Sequence, residues 1–196
     1  MILYLDTETS GLRPGQVCQL SYIMQDKEKV LGKNFFFKVN FVEYGAFSVH
    51  GFSVQKLEEL SNGKTFLDHI DEIEKDFLLA DVIVAHNVSF DAMFLREEFL
   101  RCGRIYSPKN EYCTMKKLTP VCKLRRSSSA GYKYPKLSEA CAFFGITDRE
   151  IKLDVKQIFN SDVGFHDARF DTTALYALVN RTFDNECYEG GLLKYL

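Results

Sequence analysis

Two carboxylates stand one residue apart at the end of an apolar run: Asp6 and Glu8, in YLDTETSG. In an extended strand, residues two apart project to the same side, so the pair would leave the sheet edge together. Other acid-x-acid pairs occur (Asp26/Glu28, Glu72/Glu74, Asp148/Glu150, Asp184/Glu186), but their surroundings are polar and a solvated face accounts for them. Two more acids each follow a histidine. Asp91 follows the apolar run VIVA by way of His86 and Asn87, and Asp171 lies in FHDARFDTTAL behind His166.

Four carboxylates drawn together without partners would be costly, because burial and mutual repulsion raise their pKa values until some protonate. Divalent cations remove that cost. An all-oxygen donor set suits Mg²⁺ or Mn²⁺, with no need for thiol or imidazole ligands. Two such ions ~3.5–4 Å apart can clamp the attacking and leaving oxygens of a phosphodiester. A neutral histidine beside them can take a proton from the attacking water near neutral pH. His86 precedes Asp91, and His166 precedes Asp171, by the same five positions, so spacing does not choose between the two histidines. On a helix five residues turn through about 500°, leaving about 140° between the ends. His166 and Asp171 therefore do not share a helix face, and His166 is expected in the loop before the helix.

The elements that must position these groups follow from patterning. Residues 2–5 (ILYL), 17–24 (VCQLSYIM) and 34–39 (NFFFKV) read as strands rich in β-branched and aromatic residues, with Gly15 and Gly32 as turn residues between them. The pattern then turns helical: 53–60 behind Ser53 as N-cap, and 65–79 with Phe66, Ile70, Ile73 and Phe77 on one stripe. VIVA (82–85) reads as a strand buried on both faces. Helices are expected over about 90–102, 114–119, 136–144 and 167–182, with a short strand at Tyr112–Cys113 and a loop at RRSSSAGYKYP. A meander followed by alternating strand and helix indicates an α/β layered fold with a mixed sheet.

The bulk numbers narrow the class. At 196 residues, 46% apolar and 27% charged, the chain fits one soluble domain. No apolar run is long enough to span a membrane. Met1 leads straight into a strand pattern, so secretion is not expected. Six scattered cysteines without a C-x-x-C argue against a zinc or redox motif and for reduced thiols in the cytoplasm. A net charge of −2 does not suggest a general polyanion binder, so any nucleic-acid contact must come from a local patch.

The segments YLDTETSGL, VIVAHNVSFDAMFL and FHDARFDTTALYAL together resemble the three motifs of the DnaQ-like, DEDDh family of 3′–5′ exonucleases, in matching order and over about residues 1–182. YCTMKKL adds a likeness to proofreading subunits and exonuclease X-like members. The resemblance implies a ribonuclease H-like fold, a five-stranded mixed sheet flanked by helices. It implies that Asp6, Glu8, Asp91 and Asp171 hold two Mg²⁺ ions, with Mn²⁺ as substitute, and that His166 is the general base. The family variant with tyrosine would place that tyrosine at position 167, which here is Asp. The implied activity is release of nucleoside 5′-monophosphates from 3′ ends, with DNA favoured. An exoribonuclease of the ribonuclease T or oligoribonuclease type, a non-catalytic nucleic-acid-binding module, and a polymerase-associated subunit are the alternatives. A replication or repair partner and a homodimer stay open.

The stretch AFSVHGFS resembles the family's segment near the terminal nucleotide, which makes His50 and Phe52 candidate substrate contacts. Thr7, between the two acids, and Thr9 are candidates for the 3′ end. His86 and Asn87 are expected to order the loop that presents Asp91, with Asn87 also a candidate substrate contact. Phe90 reads as core. Between Tyr112 and Ser138 no acid occurs, while Lys116, Lys117, Lys123, Arg125, Arg126, Lys133 and Lys136 interleave with Tyr132 and Tyr134. Such a mix suits a single strand, with charge on phosphates and rings on bases. Residues 183–196 are expected as a short tail.

Overall fold

The structure is a computed structural model and describes residues 1–13, 15–27, 29–127 and 130–183. The expected tail, Cys187 and the Asp184/Glu186 pair lie outside the described residues, as do Ser128 and Ser129 of the basic segment.

Five strands form one mixed sheet in the order β3-β2-β1-β4-β5. They are β1 (Ile2–Thr9), β2 (Val17–Asp26), β3 (Lys29–Phe36), β4 (Val82–Ala85) and β5 (Glu111–Cys113). β1 is central, antiparallel to β2 and parallel to β4. The strand continues through both acids rather than ending before them, as far as a register shift between Glu8 and Thr9.

Alternation along β1 decides what each residue meets. Leu3 and Leu5 belong to the core beneath helices α3 (Ile70–Leu79) and α4 (Val88–Arg101), with Phe77, Phe94 and Phe99. Ile2 and Tyr4 face the other way, toward Leu175 and Val179 of α8 (Ala168–Phe183). By the same period of two, Asp6 and Glu8 point to the α8 side and Thr7 to the α4 side.

Three expectations need correction. The third strand is Lys29–Phe36, not 34–39, and Gly32 lies inside it. Its missing side chain makes room for α7 (Asp148–Phe159), because a Cβ there would lie 2.5 Å from Ile158 and 2.7 Å from Phe159. Helix α7 itself was not expected. Thr147 and Glu150 cap it reciprocally, and Ile151 and Val155 bury its inner face. Helix α1 (Tyr44–His50) was also not expected, and it buries none of its residues. Elsewhere the elements agree within a few residues: α2 (Val54–Ser61), capped by Ser53, and a 3₁₀ turn (Phe66–His69) leading into α3. So do α5 (Thr114–Cys122) and α6 (Leu137–Phe143). Among the described residues no helix is long and apolar enough to cross a membrane.

Candidate active site

Asp6, Glu8 and Asp171 each offer an oxygen, and these atoms lie within 4.8 Å of one another. β1 supplies the first two on its α8 face, and the first turn of α8 supplies the third. Glu8 and Asp171 are nearly closed to water, 8% and 9% exposed, while Asp6 is half-buried. Burial is the first cause, and the neighbouring carboxylates the second, of a rise of Asp6 well above the ordinary range and of Glu8 to about 9. Asp171 is raised to about 7 by burial, against the pull of the His166 amide. Such a site is short of positive charge, and its donors are all carboxylate oxygens.

Asp91 stands outside this 4.8 Å group. It enters from the other face of the sheet, at the start of α4, where Thr7 points. The Thr7 hydroxyl donates to Asp91 Oδ1 at 2.8 Å. Asp91 is 4% exposed and raised to about 7 by burial, and it in turn raises Asp6 and Glu8. The strand thus carries Asp6 and Glu8 on one face, and the alternate residue between them holds the fourth acid.

His166 lies in the turn before α8 in a left-handed conformation, φ 67°. Its backbone N–H donates to Asp171 Oδ2 at 2.9 Å. Its ring is exposed and hydrogen-bonds to none of the described residues. Burial lowers the pKa of His50 against the hydrogen bond to Thr9, and the charge of His166 lowers it further.

A cavity of about 370 Å³ adjoins the acids, lined by Thr7, Glu8, Thr9, Gly11, Phe90 and His50 among others. Its outer wall is α1 with Leu12 and Glu43. Gly11 lies close under that wall: a Cβ there would come 2.4–2.7 Å from the Glu43 carboxylate, which sits at the end of a flexible side chain and can swing aside. His50 is fixed at both nitrogens. Nδ1 accepts the Phe52 N–H at 3.0 Å, so Nε2 carries the proton and donates to the Thr9 carbonyl at 3.2 Å. The Thr9 hydroxyl is spent on the Gly11 carbonyl at 2.8 Å. What Thr7, Thr9 and His50 still offer a ligand is backbone and ring face.

Phe52 does not line the cavity. It stacks on His50 and packs edge-on against Phe36, 5.4 Å between centroids. Phe90, read as core, is half-buried against Phe94 and also lines the cavity. Asn87 sits at the N-cap of α4 with φ 84°, without a side-chain capping bond. His86 is held at both nitrogens, Nδ1 to the Thr114 hydroxyl and Nε2 to the Pro135 carbonyl, each at 2.9 Å. In the basic segment, Lys133 pairs with Glu139 and Arg126 Nε donates to the Tyr132 carbonyl at 3.0 Å. Tyr132 and Tyr134 are exposed.

Residues 3–179 match the family model RNase_T, described as exonuclease. The chain belongs to that exonuclease family. This exonuclease-family chain also resembles the solved metal-free form of the E. coli ExoI–ssDNA complex, at 17% identity and a TM-score of 0.65. The likeness covers 99% of this chain and 41% of that one, so the chain spans about two fifths of its solved neighbour. The five-stranded mixed sheet flanked by helices is accordingly the ribonuclease H-like exonuclease fold. No curated protein matches the chain.

Sequence reasoning missed one group beside the acids. Asp167 and Gln19 are buried and Arg169 half-buried, and Gln19 Nε2 donates to Asp167 Oδ1 at 3.0 Å across 148 positions of chain. No local pattern announces that contact. Only the pairing of Gln19 with Glu8 across β1 and β2 brings it to the site.

Proposed function

We propose that the chain is a metal-dependent 3′–5′ exonuclease that releases nucleoside 5′-monophosphates, with DNA ends favoured, and that residues 1–182 form its catalytic unit. The observation that carries this reading is the trio of carboxylate oxygens within 4.8 Å of one another, bordering through Glu8 a cavity of nucleotide size.

Asp6, Glu8 and Asp171, with Asp91 as the fourth acid, fit two Mg²⁺ ions because their donors are hard oxygens and their charges repel without a cation. Bound there, Mg²⁺ supplies the positive charge that stabilises the attacking and leaving oxygens of a phosphodiester. The protein's own groups do the rest. The His166 ring, without a partner among the described residues, takes the proton of the attacking water. Phe90 and Val49 give the cavity apolar walls for the terminal nucleotide, while the backbone of Thr7 and Thr9 meets its sugar. The ssDNA of the ExoI complex supports a single-stranded ligand, and exposed Tyr132 and Tyr134 in the basic segment suit its bases.

The test is product analysis on 5′-labelled DNA and RNA oligomers with Mg²⁺ or Mn²⁺. A ladder shrinking from the 3′ end of DNA, abolished by EDTA, is the expected result. A ladder on RNA alone transfers the reading to an exoribonuclease. EDTA-insensitive binding without product makes the chain a binding module.

A further inference from the structure

Arg169 is engaged on every side. Nε donates to Asp167 Oδ1 at 2.8 Å and Nη2 to Asp167 Oδ2 at 2.7 Å, a two-pronged fork. Nη1 donates to Ser161 Oγ at 3.0 Å. The guanidinium carbon lies 5.4 Å from the centroid of the Phe36 ring on β3. Ser161 and Asp167 are the two ends of the segment that carries His166. One planar cation therefore closes that segment on itself and fastens it to the sheet.

The far side of Asp167 is fastened too. Asp167 caps α8, its Oδ1 accepting the Arg169 N–H at 3.0 Å, while Gln19 Oε1 accepts the Ala168 N–H at 3.1 Å. The same backbone stretch holds His166 in its left-handed turn and hands the His166 N–H to Asp171. Loosening this stretch would move the imidazole and a cluster carboxylate together.

The residue types are informative. A carboxylate at 167 adds repulsion to Asp6 and Glu8. Asparagine would cap the helix as well without that charge. What asparagine cannot do is accept a bidentate guanidinium. Lysine at 169 could neither make the fork nor lie flat on an aromatic ring. The extra negative charge beside an already crowded site is therefore tied to the staple.

We propose that Arg169 is a positioning residue: through Asp167, Ser161 and Phe36 it holds the segment whose His166 N–H binds Asp171 of the cluster, and so sets where the imidazole sits. This rests on the exonuclease reading for its catalytic consequence, but not for its geometry.

The experiment compares wild type, Arg169→Lys and Ser161→Ala by steady-state kinetics on a labelled oligomer with Mg²⁺, well below their melting temperatures. A displacement of about 1 Å at a reacting group costs up to about a hundredfold. Arg169→Lys should accordingly lower kcat at least about tenfold with KM within about twofold. Ser161→Ala, which removes only the loop end of the staple, should lower kcat by a smaller factor in the same pattern. An unchanged kcat in both variants overturns the proposal. So does a raised KM with kcat intact, which would make Arg169 a substrate-binding cation. Amide hydrogen exchange at His166 is read in the same proteins and should quicken in both variants. That readout survives even if wild type shows no nuclease activity, a result that sinks the exonuclease reading alone. Unaltered exchange sinks the staple alone.

Discussion

Two stretches of the chain carry a histidine five residues ahead of an aspartate, and they have opposite fates. His86 leaves the buried strand β4 and is held at both nitrogens, by Thr114 and Pro135. His166 leaves an open segment, turns left-handed, and keeps an exposed ring with no described hydrogen-bond partner. Their aspartates, by contrast, end alike: Asp91 and Asp171 are both nearly buried and both raised to about 7. The spacing sets the aspartate at a helix start. What surrounds the histidine decides whether it braces a loop or leaves its ring exposed.

The contrast can be broken most forcefully at the shared acids. Asp171→Asn or Asp6→Asn should cost a thousandfold or more of turnover, on the order of 4 kcal/mol. The same change should raise the melting temperature of the metal-free protein, since it removes a repelling charge. Retained turnover on a labelled oligomer would refute the cluster's role. Next come the histidines themselves. His166→Ala should lower kcat by about 10²–10⁴ with little change in melting temperature. His86→Ala should do the reverse, removing two hydrogen bonds worth together about 2–3 kcal/mol while kcat falls less than about tenfold. Kinetics and thermal melts on the pair would show whether the roles divide this way.

A pH titration sharpens the same division. Glu8 at about 9 and Asp91 and Asp171 at about 7 hold protons that the unfolded chain has already released. Metal-free stability from these groups is therefore full at low pH and falls as pH rises from about 4 to 9. Saturating Mg²⁺ should flatten that slope. His86 works oppositely, because burial lowers its pKa and its contribution is lost as pH falls below its unfolded value of about 6.5. Denaturant melts across pH, with and without Mg²⁺ and in His86→Ala, separate the two. The smallest effect is expected from Thr114→Val, about 1 kcal/mol, from the one hydroxyl that His86 Nδ1 accepts.

Much of this site could be read in the linear chain because its parts are local: strand, then acid pair; strand, then His-Asn and an acid; loop histidine, then helix acid. Element order followed from β4's unbroken apolar run and the stripe of α3. What stayed hidden depends on contacts between distant segments. Gly32 looks like a turn until Ile158 and Phe159 are seen against it. α7 carries a local signal, the Thr147–Glu150 capping box ahead of Ile151 and Val155, too short on its own to mark a helix. α1 had none, because a helix that buries nothing has no apolar stripe to detect. Asp91's place opposite the trio follows from strand alternation, but its bond to Thr7 requires the sheet and α4 to be assembled.

The outer wall of the cavity shares almost nothing with the hydrophobic interior. α1 buries no residue and is tied to the body by the Glu43 amide to the Ser10 carbonyl, at 2.8 Å, and by His50 to Thr9. Side chains there can be exchanged, or the segment lengthened, at small expense in global stability, because few apolar contacts are at stake. The molecule thus separates a buried acidic floor from an exposed rim. Substitutions can accumulate on one side of the hollow while the other stays unaltered.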